Sequence, residues 1–371
     1  MEFQKTTLGE LSVNGKGSYG IAASAVPYSD ELFTYLRITD INDDGTLNKS
    51  GLMSVSDEKA EQYLLKPNDI VFARTGGSTG RNYFYDGTDG EFVYAGFLIK
   101  FSIDSTKVNP RFIKYYCLSQ EYRGWVHSFN TGSTRGNINA QTYANMPILL
   151  PSREQQDLLV DTLSVIDEKI KLNTAINENL EQQAQAIYRS MFVTLHHDSD
   201  RMGLLSELIT VKYGKDHKKL NDGIYPVYGS GGIMRYVERP LYDKESVLIP
   251  RKGSLNNVMY VNEPFWSVDT MFYTEMKQPN IAKYVFHFVK SKDLASLNAG
   301  SAVPSMTTDI LNSMELRIPS ADRLAEFEGL VAPLYRAIED NIRQSARLAA
   351  LRDTLLPKLM NGEIDVSAVQ I

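Results

Sequence analysis

The chain has 371 residues, 43% of them hydrophobic and 23% charged, with a formal net charge of −6 at pH 7. These are the proportions of ordinary globular protein, with room for two or three cores. No apolar run approaches the roughly 18 residues of a membrane span. The opening MEFQKTTLGE lacks the basic and apolar regions of a signal peptide. The single Cys117 cannot form an internal disulfide and, in the apolar stretch FIKYYCL, reads as a small buried hydrophobe. A cytoplasmic protein without membrane contact is expected. The negative charge weighs against a nucleic-acid ligand for the chain as a whole, but binding needs only a local basic face.

Along residues 1–150, short β-type runs alternate with Gly, Asn and Asp turns. FTYLRITDI (33–41), NDIVFART (68–75), EFVYAGFLIKF (91–101) and MPILLP (146–151) read as strands by their aromatic and β-branched content, and PRFIKYYCLSQEYRGWV (110–126) as a short helix. Ser152, with Glu154 and Gln155 behind it and Pro151 outside, marks the start of a long helix. Leu163, Ile166, Ile170, Asn173, Asn177, Leu180, Ala184 and Ile187 recur there at alternating three- and four-residue spacings, the a/d seam of a coiled coil. Beyond about residue 203, SVLIPRKG (246–253) and PFWSVDTMFYT (264–274) are strand-like, and IAKYVFHFVKS (281–291) is helical. A second long helix then places Val331, Leu334, Ile338, Asn341, Ser345, Leu348, Arg352 and Leu355 on the same seam, with a short first piece and a kink expected from Gly329 and Pro333.

This order is a repeat. Met146 and Pro151-Ser152 reappear at one constant spacing as Met314 and Pro319-Ser320, as does Gly132-Ser133 as Gly300-Ser301. Further upstream, where insertions widen the spacing, Arg74-Thr75-Gly76 answers Arg251-Lys252-Gly253, and Leu8-Gly9-Glu10-Leu11 answers Leu205-Ser206-Glu207-Leu208. The expected class is α+β: two similar β-rich domains (1–151 and 195–319), each followed by a helix (152–194 and 320–371). The helices would pack antiparallel as a coiled-coil spacer about a pseudo-two-fold axis, with Asn173 matched to Asn341 in a polar layer that fixes register. Duplicated surfaces suit a partner that is itself two-fold, and duplex DNA is the commonest one.

Catalytic signatures are missing from the sequence. Gly76-Gly77-Ser78-Thr79-Gly80 has no following Lys-Ser/Thr and reads as a turn between strands, not a phosphate loop. His196-His197-Asp198 has no further ligand nearby, so no metal is expected. Asn109-Pro110 is followed by Arg111, which excludes the Asn/Asp-Pro-Pro-aromatic signature of amino-methyltransferases. No catalytic residue is assigned, and a binding protein is expected.

Recognition chemistry is better represented. Arg74-Thr75 and Arg251-Lys252 end matched strands and enter Gly/Ser-rich turns, where a backbone can approach a partner closely and arginine can meet a phosphate or a guanine edge. Arg81, Ser254 and the amides Asn256 and Asn257 lie in the same turns. Ser133-Thr134-Arg135 is another small polar loop with one cation. Lys212, Lys215, Lys218 and Lys219 cluster beside the aromatic-glycine stretch of Tyr225, Tyr228, Gly229 and Ser230, read as a loop.

At these residues the chain resembles the specificity subunit of type I restriction-modification systems. YPVYGSGGIMRYV (225–237), VLIPRKGSLNNVMYV (247–261) and PFWSVDTMFYT (264–274) look like one type of that family's target-recognition domain, and NDIVFARTGGSTGR (68–81) like another. LPSREQQDLLVDTLSVIDEKI (150–170) and LRDTLLPKLMNGEIDVS (351–367) are similar to its conserved helices. The resemblance implies a non-catalytic reader of double-stranded DNA, each domain taking one half of a split target and the helices setting the gap. It implies two methyltransferase subunits carrying S-adenosylmethionine and two restriction subunits using ATP and Mg, with no cofactor in this chain. The outer helix faces, with Glu168, Gln182 and Gln183 on the first and Arg336 and Arg347 on the second, would then be free for docking. The alternatives are a scaffold or anti-restriction decoy that holds subunits without reading DNA, and an accessory part of a methyltransferase or nuclease.

Overall fold

The aromatic and β-branched runs form short strands in the computed structural model, which describes residues 3–49, 51–129, 136–194, 200–297 and 305–364. The chain divides into two compact units, Met1–Lys171 with Gln344–Ile371 and Leu172–Arg343. In the first unit the strands are β1 (Gln4–Thr7), β2 (Ser18–Tyr19), β3 (Ala25–Val26), β4 (Phe33–Leu36), β5 (Met53–Val55), β6 (Asp69–Ala73), β7 (Asn82–Tyr85), β8 (Phe92–Tyr94) and β9 (Leu98–Ser102). Three helices follow, α1 (Pro110–Tyr116), α2 (Gln120–His127) and α3 (Ala140–Ala144), then β10 (Pro147–Leu150) and the long α4 (Arg153–Arg189). One sheet has the order β2-β9-β6-β7, a second β3-β5-β4-β8, and β1 pairs with β10.

The second unit repeats this plan strand for strand in its main sheet. Its elements are β11 (Arg201–Leu204), α5 (Leu205–Leu208), β12 (Ile209–Tyr213), β13 (Asp222–Gly229), β14 (Gly232–Val237), β15 (Ser246–Pro250), β16 (Met259–Val261), β17 (Trp266–Ser267) and β18 (Met271–Met276). They continue with α6 (Ala282–Lys290), α7 (Thr308–Asn312), β19 (Glu315–Ile318) and α8 (Ala321–Met360). The order β12-β18-β15-β16 matches the first sheet, and β11 pairs with β19 as β1 does with β10. The smaller sheet β14-β13-β17 keeps the parallel pair β13–β17, as the first unit keeps β4–β8. The central strands β6 and β15 are buried along their whole length, which is why IVFA and VLIP, after the first residue of each, read as continuous apolar runs and do not alternate. The matched LxEL segments also agree: Glu10 accepts from the Thr7 N–H and Glu207 from the Leu204 N–H, while Leu8, Leu11, Leu205 and Leu208 are buried.

Local structure departs from the sequence reading where turns divide a run. The segment 91–101 is two strands, because Leu98 N–H closes a turn onto the Ala95 carbonyl at 2.8 Å. The segment 264–274 divides in the same way at Val268 and Met271, 3.0 Å apart. The segment 110–126 is two helices, each N-capped by its own side chain, Asn109 and Ser119. The segment 33–41 leaves the strand at Leu36 for a 3-10 turn, Ile38–Asp40, in which Arg37 and Asp40 pair at 2.7 Å. Tyr225, Tyr228 and Gly229 lie in the strand β13 of a hairpin with β14, not in a loop.

The expected break in the second helix does not occur. α8 runs for 40 residues through Gly329 and Pro333. The missing proline N–H and the crowded carbonyl four residues back cost about 3 kcal/mol. Phe327, Val331 and Tyr335 bracket the proline and are buried, which offsets that cost. α4 runs for 37 residues before a short π-helical turn at Ser190–Thr194. In the first unit Leu159, Val160 and Leu163 of α4 pack with Leu356, Leu359 and Met360 of α8, an antiparallel pair. In the second, Ala184, Tyr188 and Phe192 pack with Leu324, Phe327, Val331 and Tyr335, again antiparallel. Leu163, Ile166, Asn173 and Ile338 are buried on this seam, and Ile170, Leu180, Ile187, Leu334, Asn341, Leu348 and Leu355 are half-buried. Asn173 Nδ2 donates to the Asn341 carbonyl at 3.4 Å and Asn341 Nδ2 to Asn177 Oδ1 at 2.8 Å, so these three seam asparagines form one polar layer.

Each globular part is tied to its helices by buried charge. In the first unit Asp167 of α4 accepts from Lys114 Nζ (2.6 Å), Tyr115 Oη (3.0 Å) and Arg352 Nη1 of α8 (3.1 Å). Burial penalises that carboxylate, yet Lys114 and Arg352 outweigh the penalty and hold its pKa below the ordinary value. In the second unit Lys283 of α6 meets Glu245 and Glu328, each at 2.8 Å, under the rings of Tyr260 and Tyr335.

His287, beside that cluster, bonds Tyr335 Oη at 3.0 Å and stacks on Tyr188. Burial, with a smaller contribution from Lys290, lowers its pKa from 6.5 to about 4. An unfolded chain therefore takes up this proton before the folded one. The contribution, ~3 kcal/mol, is present above about pH 6.5 and is lost as pH falls through about 4. Melting curves of the full chain should lose stability over that interval, and His287→Gln should flatten the loss. An equal loss in the variant would assign it to other groups.

Candidate nucleic-acid interface

The two sheets end in the same frame of hydrogen bonds. Arg74 N–H donates to the Phe97 carbonyl (3.1 Å) and its carbonyl accepts from Ile138 (2.9 Å); Arg251 N–H donates to Thr270 (2.9 Å) and its carbonyl accepts from Met306 (2.9 Å). The next residues bridge to the same neighbouring segment, Thr75 to Asn137 and Lys252 to Ser305. Gly76 and Gly253 then take left-handed φ of 76° and 85°, a conformation that turns the chain sharply and favours glycine. The structure thus brings the matched Arg-x-Gly turns to equivalent ends of equivalent strands. Both guanidinium groups lie over exposed tyrosines, Arg74 5.0 Å from the Tyr19 ring centroid and Arg251 5.3 Å from that of Tyr213.

The other sequence-selected residues differ in exposure and in bonding. Lys215, Lys218, Lys219, Lys252 and Ser254 are exposed. Lys212 sits in β12, 3.6 Å from Glu275. Asn257 Nδ2 donates to the Ser230 carbonyl at 2.8 Å, which joins the β13–β14 turn to the Arg251 turn. Three residues are also bonded within the fold. Arg81 is held by Asp43 at 2.7 Å and donates to the Ile41 carbonyl. Asn256 donates to Asp293 and accepts from Ala295 N–H, both at 3.0 Å, so both ends of its amide are occupied. Tyr228 Oη donates to Glu263 at 3.0 Å. Ser133, Thr134 and Arg135 lie outside the described residues.

Sequence reasoning missed Tyr19 and Tyr213. Each precedes a glycine with no room for a side chain: a Cβ on Gly20 would lie 2.2 Å from the Tyr94 carbonyl oxygen, and one on Gly214 2.0 Å from that of Val268. The repeated Tyr-Gly dipeptide was the available signal. Among the described residues no group of His, Cys, Asp and Glu is placed to hold a metal ion, and no helix is long and apolar enough to cross a membrane.

A family described as the type I restriction modification DNA specificity domain matches residues 3–182 and again 203–324. The chain belongs to that family. The HindI specificity subunit of Haemophilus influenzae is 21% identical, the match covering 81% of this chain and 87% of that protein. The EcoprrI specificity subunit of Escherichia coli is 20% identical over 78% and 77%. The crystal structure of the type I restriction-modification S subunit from M. genitalium has the same fold, with TM-score 0.53 and 18% identity over 97% of this chain and 96% of that one. The first match covers the first globular part and most of α4, and the second covers the second globular part and the start of α8, in keeping with the repeat in sheet order.

Proposed function

We propose that this specificity-family chain reads a bipartite duplex target, one half with each globular part, and carries out no catalysis itself. The observation that carries the reading is the duplicated frame around Arg74 and Arg251. Two equivalent strand ends present an arginine, a left-handed glycine turn and exposed polar atoms, which a duplex partner can meet at two places. Thr75, Lys252, Ser254 and Ser230 border these arginines, and Lys212, Lys215, Lys218 and Lys219 supply phosphate contacts. The local basic face decides binding despite the chain's net charge. The helices set the unread gap: at ~1.5 Å per residue, α8 is ~60 Å long, more than one turn of B-DNA at ~34 Å.

The partners in this reading are two methyltransferase subunits, which bring S-adenosylmethionine and adenine-N6 methylation, and two restriction subunits, which bring ATP and Mg. Glu168, Gln182, Gln183, Arg336 and Arg347 are exposed on α4 and α8. So are the apolar Leu172, Ile176 and Ile342, so these helix faces offer both polar and apolar surface to a docking subunit. The test is a genome-wide map of methylated adenine in cells with and without this chain. Loss of one split motif is expected; a map that does not change would overturn the reading.

Lys218→Ala with Lys219→Ala should weaken binding to every duplex alike and lower the salt slope by about 0.9 per lost phosphate contact. Titrations at several salt concentrations check this. A slope equal to the unmodified chain's would move the phosphate face to other loops.

A further inference from the structure

We propose that Tyr19 and Tyr213 are positioning residues that hold Arg74 and Arg251 edge-on to a guanine, one in each half-site. The proposal rests on the DNA-reading function above and assigns its specificity-determining pairs. The pairing follows from sheet register. Tyr19 of β2 stands opposite Ile99 of β9, which stands opposite Phe72 of β6, two residues before Arg74. Tyr213 of β12 stands opposite Phe272 of β18, which stands opposite Ile249 of β15, two residues before Arg251. Side chains two apart share a face of a strand, so each arginine is delivered beside its tyrosine. Gly20 N–H bonds the Leu98 carbonyl (3.1 Å) and Gly214 N–H the Met271 carbonyl (3.0 Å), which pins both tyrosines at the same register.

The rings are themselves held. Tyr19 Oη accepts from the Ala140 N–H at 3.2 Å, and the Tyr213 ring packs edge-on against Phe272 at 5.0 Å. The guanidinium groups keep donors in reserve. Arg74 Nε is buried, which leaves only its Nη groups to meet a base. Arg251 gives Nη1 to the Asp269 carbonyl at 3.3 Å, and among the described residues Nε and Nη2 meet no acceptor. A phosphate contact needs only a charge on a flexible stem. A planar fork stacked on a fixed ring suits the two-acceptor O6/N7 edge of guanine, because little rotamer freedom remains to be lost on binding. Tyr19 and Tyr213 are 42% and 52% exposed, so the rings can change with little loss of core.

The experiment selects duplexes from a randomised library with the full chain assembled with its modification subunits. Arg251→Lys keeps the charge but loses the fork, and should abolish the guanine preference at one position. Tyr213→Leu should relax that same position by roughly 3- to 30-fold, the range for losing a cation–aromatic contact, with an unchanged salt slope. Tyr213→Phe keeps the ring and should select the original motif. Tyr19→Leu should act on the other half-site alone, and it decides the matter if Tyr213→Leu does not fold. If Arg251→Lys relaxes a position that Tyr213→Leu leaves sharp, the positioning role is wrong while DNA reading stands. If neither arginine variant, Arg251→Lys or Arg74→Lys, alters the selected motif, base reading by these arginines fails, and the platforms with it.

Discussion

Inserting four residues between Lys171 and Leu172, and four between Arg343 and Gln344, should lengthen the unread gap of the target by close to two base pairs and leave both half-sites unaltered. These points are the boundaries of the two compact units, so every hydrogen bond and core contact described within each unit is preserved. Both α4 and α8 cross the boundary, so both must lengthen if the seam is to stay in register. Four residues add ~6 Å and slightly more than one helical turn, against ~3.4 Å per base pair. Modification of the original sites should be lost entirely and a new, longer motif should replace it in the methylated-adenine map. A motif of unchanged length would show that some other part of the chain sets the separation.

Much of that frame was legible in the sequence because it depends on spacing. The a/d seam placed Asn173 and Asn341 at matched positions, and they meet at 3.4 Å. The recurrence of Arg-x-Gly was enough to locate equivalent turns, since the backbone around them leaves a sequence trace in the glycine itself. The tyrosine platforms were hidden because register, not chain distance, delivers them: Tyr-Gly precedes Arg74 and Arg251 by different lengths of chain. Engagement by remote partners was equally invisible. Nothing local to Arg81 announces Asp43, nor does the run Asn256-Asn257 announce Asp293. Asp167 read as one more acid on a charged helix, whereas its carboxylate is the centre of a three-element junction.

That junction gives the largest stability effect expected from a single substitution. Asp167→Ala would leave Arg352, 11% exposed, without its partner on α4, and would strip Lys114 and Tyr115 of their acceptor. Breaking a buried pair costs more than the pair contributes, because the remaining charge stays in a poorly solvated site. The expected loss is about 3 kcal/mol, the low end of the range for broken buried pairs, since Lys114 retains partial access to water. Asp167→Asn keeps one acceptor and should lose less. The pH dependence separates this junction from His287. The folded Asp167 pKa is lowered, so its contribution is present above the ordinary aspartate value of 3.8 and is lost only as pH falls below it. Between pH 4 and 6.5, where His287 titrates in the unfolded chain, Asp167 stays ionised and the first unit should hold its stability. Denaturant melts of the full chain at pH 7.5 and 5, read by hydrogen exchange at α1 and at α6, should show acid weakening α6 alone and Asp167→Ala weakening α1 at both values. Equal protection of α1 with and without the carboxylate would mean that the apolar seam of Leu159, Leu163 and Leu356 holds the first unit to its helices unaided.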